Sequence, residues 1–119
     1  MGWVSVLDAR SLDSLTETVV ARLLVERQPA GRIARDLATA LALTRPALPA
    51  LALALPFTLA AAAIDEMLGA GAEAQTAAQE AWRTAALIGA DALMLRAQGA
   101  DSLADLCALW ARSDEVFGP

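Results

Sequence analysis

The chain has 119 residues, of which 57% are hydrophobic and 19% are charged, and it contains no histidine, lysine or tyrosine. Without histidine, the usual proton shuttle and the commonest protein metal ligand are excluded. A net charge of −5 argues against nucleic-acid binding, because that function needs a basic face to neutralise phosphate. Since globular proteins carry about 25% charged residues, we expect part of the apolar surface to be covered by another chain, a lipid or a hydrophobic particle.

The length and composition predict one helical domain over residues 1–119. About a quarter of the residues are alanine and no segment alternates like a strand, so the expected fold is an all-α bundle of four to six helices without a sheet. The lone Cys107 cannot form a disulfide within the chain, which favours a reducing, cytoplasmic location. We interpret Cys107 as a small buried hydrophobe on a helix. Charges at Asp8, Arg10 and Asp13 argue against a signal peptide.

An apolar arm is predicted over residues 1–10, where Trp3, Val4, Val6 and Leu7 precede the first helix. An extended arm has no strand of its own to pair with. Two interpretations follow from the sequence. The arm packs on its own bundle, or it is exchanged with a partner subunit.

Two helices are predicted next, the first from about Ser11 or Ser14 to Arg27 and the second over 32–43. Ser14 and Glu17 have the spacing of a capping box, in which each residue satisfies a backbone amide of the other. The Pro-Ala-Gly sequence between the two helices is a helix breaker.

The segment 46–64 is unusual because none of its 19 residues is charged. Pro56 is expected to kink or divide it, which predicts one short helix near 46–55 and another near 57–68. The length is close to the roughly 20 residues needed to cross a bilayer. A membrane span, a buried core segment and an interface with another chain are therefore the three alternatives.

The longest helix is predicted over 72–98, with its polar residues on a narrow stripe. We therefore expect most of its circumference to be buried. Ala77, Ala81, Ala85 and Gly89 recur every four residues. Small residues at this spacing form a flat strip that lets another helix backbone approach closely.

A last helix is predicted to begin at Asp101 or Ser102. Asp105 follows Ser102 by three residues, which is the spacing of a capping pair. The side chains expected on one face of this helix are Leu103, Leu106, Cys107 and Trp110.

Residues 37–48 resemble the helix-turn-helix of winged-helix repressors. Those proteins carry a similar Leu-Ala pair, then a Leu, and then a Thr-Arg or Ser-Arg start of the recognition helix, here Thr44 and Arg45. The resemblance implies a DNA-binding regulator. The would-be recognition helix offers base edges almost nothing beyond Arg45, whereas direct readout needs several such groups. A turn between two packed helices is the alternative interpretation.

Residues 102–110, with the sequence Ser-Leu-Ala-Asp-Leu-Cys-Ala-Leu-Trp, follow an alanine-rich helix that contains Ala-Leu-Met-Leu at 92–95. This arrangement is similar to phasins, which are helical proteins that coat storage-polyester granules. Many of them carry a Ser-x-x-acid-Leu-x-x-Leu segment after an alanine-rich helix. The resemblance implies a protein that coats a hydrophobic granule. The proline-containing segment before it departs from the long helices of that family.

Acidic residues are the only candidates for acid–base chemistry, and their spacing does not bring two carboxylates together. Asp65 and Glu66 are adjacent, so they cannot face each other on a helix. Glu80 and Asp91 share a helix face but lie three turns apart, which is too far for a shared metal. We therefore expect neither an enzyme nor a bound metal or cofactor.

The sequence thus favours a non-enzymatic helical interaction protein that acts through apolar surface, by self-association and by binding a protein partner. A phasin-like or membrane-associated coat and a degenerate helix-turn-helix regulator are the alternatives. The candidate contact residues are Trp3, Val4, Leu51, Leu55, Phe57, Ala77, Ala81, Ala85, Gly89 and Trp110.

Overall fold

The computed structural model describes residues 8–68 and 71–112, which form five α-helices and one short 3₁₀ helix. Within these ranges no strand forms, which confirms the predicted all-α bundle. The predicted arm residues Trp3 and Val4 lie outside the described residues. The helices are α1 (Ala9–Leu24), α2 (Ala30–Thr44), α3 (Ala54–Leu68), α4 (Ala72–Ala97) and α5 (Leu103–Arg112), with the 3₁₀ helix (Ala50–Leu53) directly before α3.

All five α-helices contribute side chains to one hydrophobic core. The most extensive helix pair is α3 with α4. These two helices are joined by only a few residues, so they pack antiparallel. In agreement, a Cβ atom placed on Gly89 in α4 would lie 3.9 Å from Cδ1 of Leu51, which precedes α3. The largest fully buried side chains are Phe57, Ile33, Leu48, Leu53, Ile64, Ile88, Leu103, Leu106, Val19 and Pro56.

The first helix begins earlier than the sequence predicts, because its N-cap is Asp8. Oδ1 of Asp8 accepts a hydrogen bond from the Ser11 amide at 2.7 Å, and this bond lowers the pKa of the Asp8 carboxyl. Ser14 is an exposed residue inside α1, so the capping box predicted from Ser14 and Glu17 is wrong. The helix also ends three residues before Arg27, whose positive φ of 53° turns the chain out of the helix.

One arginine connects α1 to α2. Arg22 is largely buried, with 17% of its side chain exposed, and it forms an ion pair with Asp36 of α2. Its Nε donates to the side-chain oxygen of Gln28 at 2.6 Å in the turn between the helices. Because its donors form a rigid fork, one guanidinium donates to both groups and connects α1, the turn and α2.

The uncharged segment forms one of the two helices that were predicted. Residues 45–49 form turns and the 3₁₀ helix follows, so the helix predicted near 46–55 is wrong. The helix predicted over 57–68 is confirmed, but it starts three residues earlier, at Ala54. Pro56 therefore lies in the first turn of α3, where a missing amide breaks no intrahelical hydrogen bond. It begins a helix instead of dividing one.

The turn after α2 also completes the N-terminus of α5. The amides of Leu103 and Ala104 donate to the carbonyls of Leu48 at 2.7 Å and Pro46 at 3.1 Å. The Ala50 amide donates to the carbonyl of Asp101 at 2.8 Å. Helix N-termini leave unpaired amides that need acceptors, so this turn and α5 stabilise each other.

The predicted capping pair of α5 is confirmed. Oγ of Ser102 accepts from the Asp105 amide at 3.1 Å. In return, Oδ2 of Asp105 accepts from the Ser102 amide at 3.2 Å and from its hydroxyl at 2.8 Å. These hydrogen bonds lower the pKa of the Asp105 carboxyl.

Replacing Ser102 with alanine is expected to lower the free energy of unfolding by about 1 kcal/mol, because an N-cap hydroxyl is lost. Ser14 provides the matched control. Ser14→Ala places alanine in a helix interior and should leave stability unchanged or raise it by a few tenths of a kcal/mol. Urea unfolding followed by circular dichroism measures both. Equal losses in the free energy of unfolding would contradict the assignment of Ser102 to an N-cap and of Ser14 to a helix interior.

Acid should destabilise the fold through the same caps. The pKa values of Asp8 and Asp105 lie below their ordinary value of 3.8 in the folded chain, so the native state binds fewer protons than the unfolded state. Their contribution is fully present above that value and is lost as the pH falls through the folded pKa values. The double variant Asp8→Asn, Asp105→Asn should therefore lose less stability between pH 5 and pH 2 than the parent chain, as measured by urea unfolding. An equal loss in both chains would show that other groups cause the acid sensitivity.

Candidate protein-contact surface

Half of the predicted contact residues lie inside the chain's own core. Phe57 and Ala81 are fully buried, and Ala77, Ala85 and Trp110 are buried as well. Because α3 is the principal neighbour of α4, the small residues of α4 serve contact within this chain. Two alanines of α3 are also fully buried, which suits close approach of the two backbones.

Three of the predicted residues lie at the surface. Leu51 and Leu55 are 48% and 45% exposed, and Gly89 is partly exposed beside Leu51. Leu59 follows on the same face of α3 and is 41% exposed. These leucines form an apolar edge along the outer side of α3.

The expectation that most of α4 is buried is wrong, because neighbouring helices cover only one of its faces. The flank of α4 next to the covered face contains Trp82, with 44% of its surface exposed, and Leu93, with 61% exposed. Both residues share a helical stripe with Gly89, since their spacings are seven and four residues. They were not among the predicted contact residues. Their spacing from Gly89 is visible in the sequence. It would have indicated both residues if one face of the helix had been expected to be exposed.

We infer that these two edges form one surface. A Cβ atom placed on Gly89 would lie 3.9 Å from Cδ1 of Leu51, which indicates the register of the antiparallel pair. With this register, helical periodicity predicts that Leu59 lies level with Trp82 and that Leu93 lies beyond Leu51. We call this surface the α3–α4 ridge, and it consists of Leu51, Leu55, Leu59, Trp82 and Leu93. Exposed patches of large apolar side chains are typical of interaction sites.

A cleft of about 430 Å³ lies between the end of α1 and the start of α4. Its walls include Leu23, Pro29 and Ala77, and its rim carries charged residues. Nη2 of Arg27 lies 3.5 Å from Oε2 of Glu73 there, and both side chains are mostly exposed. An exposed pair of this kind contributes roughly 0–1 kcal/mol.

The cysteine lies in a smaller cleft of about 190 Å³ between α2 and α5. Cys107 is partly buried, and burial raises the pKa of its thiol. A raised pKa disfavours the reactive thiolate at neutral pH. Nearby, Nε1 of Trp110 donates to Oδ2 of Asp91 at 2.9 Å, which ties α5 to α4. The Asp91 carboxylate therefore has a structural contact.

No group of three Asp, Glu or Cys side chains in the described part of the chain could hold a metal ion. Among the described helices, none is both long and apolar enough to span a bilayer. A helix-turn-helix does not form at 37–48, because α2 continues unbroken to Thr44 and turns follow it. The fold is thus an all-α bundle with an exposed apolar ridge. The chain matches no family model, no curated protein and no solved structure.

Proposed function

We propose that this chain is a non-enzymatic interaction protein of the cytoplasm that self-associates and binds a protein partner through the α3–α4 ridge. The observation that supports the proposal is that five large apolar side chains, each 41–61% exposed, lie on α3, on α4 and on the 3₁₀ helix directly before α3. By contrast, several polar side chains form helix caps or hydrogen bonds that join one helix to another.

The physical driving force is removal of the ridge from water. Burying the exposed half of one leucine stabilises a complex by about 1 kcal/mol. The central members of such a surface usually contribute the most, because their neighbours exclude water from them. Leu55 lies at the middle of the α3 leucines, so it is the residue whose change should matter most.

A matched pair of leucines tests the proposal. Leu55→Glu should weaken self-association by about 2 kcal/mol, or roughly thirtyfold in dissociation constant, because it buries a charge at the contact. Leu43→Glu is the control, since Leu43 is 82% exposed at the end of α2 and lies outside the ridge. Sedimentation velocity over a concentration series measures both. If the two variants associate equally well, the ridge is not the contact surface.

A hydrophobic granule or a lipid surface is the other partner that an apolar ridge suits. Flotation with phospholipid vesicles distinguishes the two functions. The proposal expects the chain to stay in the lipid-free fraction. Flotation that Leu55→Glu abolishes would instead favour the phasin-like coat function.

A further inference from the structure

The two ends of the α3–α4 ridge carry opposite charges. Glu66 follows Leu55 and Leu59 at helical spacing, so it continues the α3 edge of the ridge. Arg96 follows Leu93 by three residues and continues the α4 edge. Both charged residues are exposed.

Antiparallel packing separates these charges along the ridge. The C-terminal end of α3 lies beside the N-terminal end of α4, so Glu66 is at one end and Arg96 is at the other. Antiparallel pairing places Glu66 level with the first turn of α4, so at 1.5 Å per helical residue the two lie roughly 35 Å apart along the pair. A surface with a glutamate at one end, an apolar centre and an arginine at the other end can pair these two residues with those of a reversed copy of itself.

Both charges are available for a partner. The Arg96 side chain is 65% exposed, and its Nη2 lies 4.0 Å from Oδ2 of Asp101, at the outer limit of an ion pair. Glu66 makes no ion pair with any residue that the structure describes. Neither side chain would have to break a strong contact to meet a second chain.

From this arrangement, and resting on the proposed function above, we infer that the partner in self-association is a second copy docked in reverse on the ridge. A two-fold axis perpendicular to the line from Glu66 to Arg96 brings Arg96 over Glu66 of the partner subunit. The same operation pairs Glu66 with Arg96 of the partner subunit, because a two-fold interface repeats every contact. The apolar ridges then face each other between the two ion pairs. Docking with the two ridges in the same direction would instead bring like charges together, which disfavours it.

Charge reversal tests the orientation. Arg96→Glu and Glu66→Arg each replace both ion pairs with like-charged pairs, so each should raise the dimer dissociation constant about tenfold. Combining the two changes in one chain places an acidic residue at position 96 and a basic residue at position 66. Each ion pair is then restored with its charges exchanged. The double variant should therefore associate within about threefold of the parent chain. Sedimentation velocity at low ionic strength measures all four proteins, because salt screens exposed charges.

Arg32→Glu on α2 is the control for a general effect of net charge, since Arg32 is exposed and lies outside the ridge. Circular dichroism confirms that each variant is folded. If the dissociation constant of the double variant rises by the product of the two single increases, the reversed docking is overturned. Association through the ridge would still stand in that case. A parent chain that stays monomeric at all concentrations would overturn both.

Discussion

Replacing Phe57 with alanine is expected to lower the free energy of unfolding by about 3–5 kcal/mol, which makes it one of the most damaging single changes in this chain. The Phe57 side chain is fully buried among the helices. Its removal loses the transfer free energy of the ring and leaves a cavity that the neighbouring helices fill only in part. Since domains of this size are stable by about 5–15 kcal/mol, the variant should be close to unfolding at 37 °C. Urea unfolding followed by circular dichroism measures the loss.

Leu55→Ala is the control, because it lies two residues away on the same helix and is 45% exposed. Two residues correspond to about 200° around a helix, so one side chain points into the core and the other points out. We expect this variant to lose less than about 1 kcal/mol. If Leu55→Ala were the more damaging change, the face of α3 that packs on the core would be assigned incorrectly.

Enlarging Ala81 to leucine is the second change with a large expected effect. Ala81 is fully buried on the face of α4 that packs within the bundle. Three added carbon atoms have no space there and must push the neighbouring helix away or adopt strained rotamers. We expect a loss of about 1–3 kcal/mol in the free energy of unfolding, again measured by urea unfolding.

Ala90→Leu is the matched control for this substitution. Ala90 is exposed on the same helix, so its enlargement should change stability by no more than about 0.5 kcal/mol. A large loss at Ala90 with none at Ala81 would mean that the opposite face of α4 is the packed one.

Several helix ends could be predicted from the sequence, because local breakers and caps mark them. The second helix was predicted over 32–43 and covers Ala30–Thr44, and the longest was predicted over 72–98 and covers Ala72–Ala97. The cap at Ser102 was also predicted correctly. In each of these places a proline, a glycine or a serine–acid pair determines the local structure, whatever the rest of the chain does.

The errors arise where local rules allow two answers. Asp8 and Ser14 are both good N-caps, and spacing alone cannot decide between them. Pro56 suits either a break between helices or a first helical turn. The turn at 45–49 depends on backbone hydrogen bonds to residues more than fifty positions later, and no local pattern reports such a contact.

The ridge was predicted in part. Leu51 and Leu55 were expected to be contact residues and lie at the surface, whereas Phe57 in the same uncharged segment is buried. A segment without charges contains no polar residue that marks its outer face. The sequence therefore could not distinguish the exposed leucines from the buried phenylalanine. Trp82 was missed because composition predicts how much apolar area is left exposed but not which helix exposes it.

Sedimentation equilibrium of the unmodified chain at several concentrations shows whether a second chain covers the apolar ridge. One chain has a mass of 12.3 kDa. We expect the average mass to rise with concentration toward twice that value, and to fall back when Leu55 is changed to glutamate. A mass that stays at the single-chain value at every concentration would contradict self-association through the ridge.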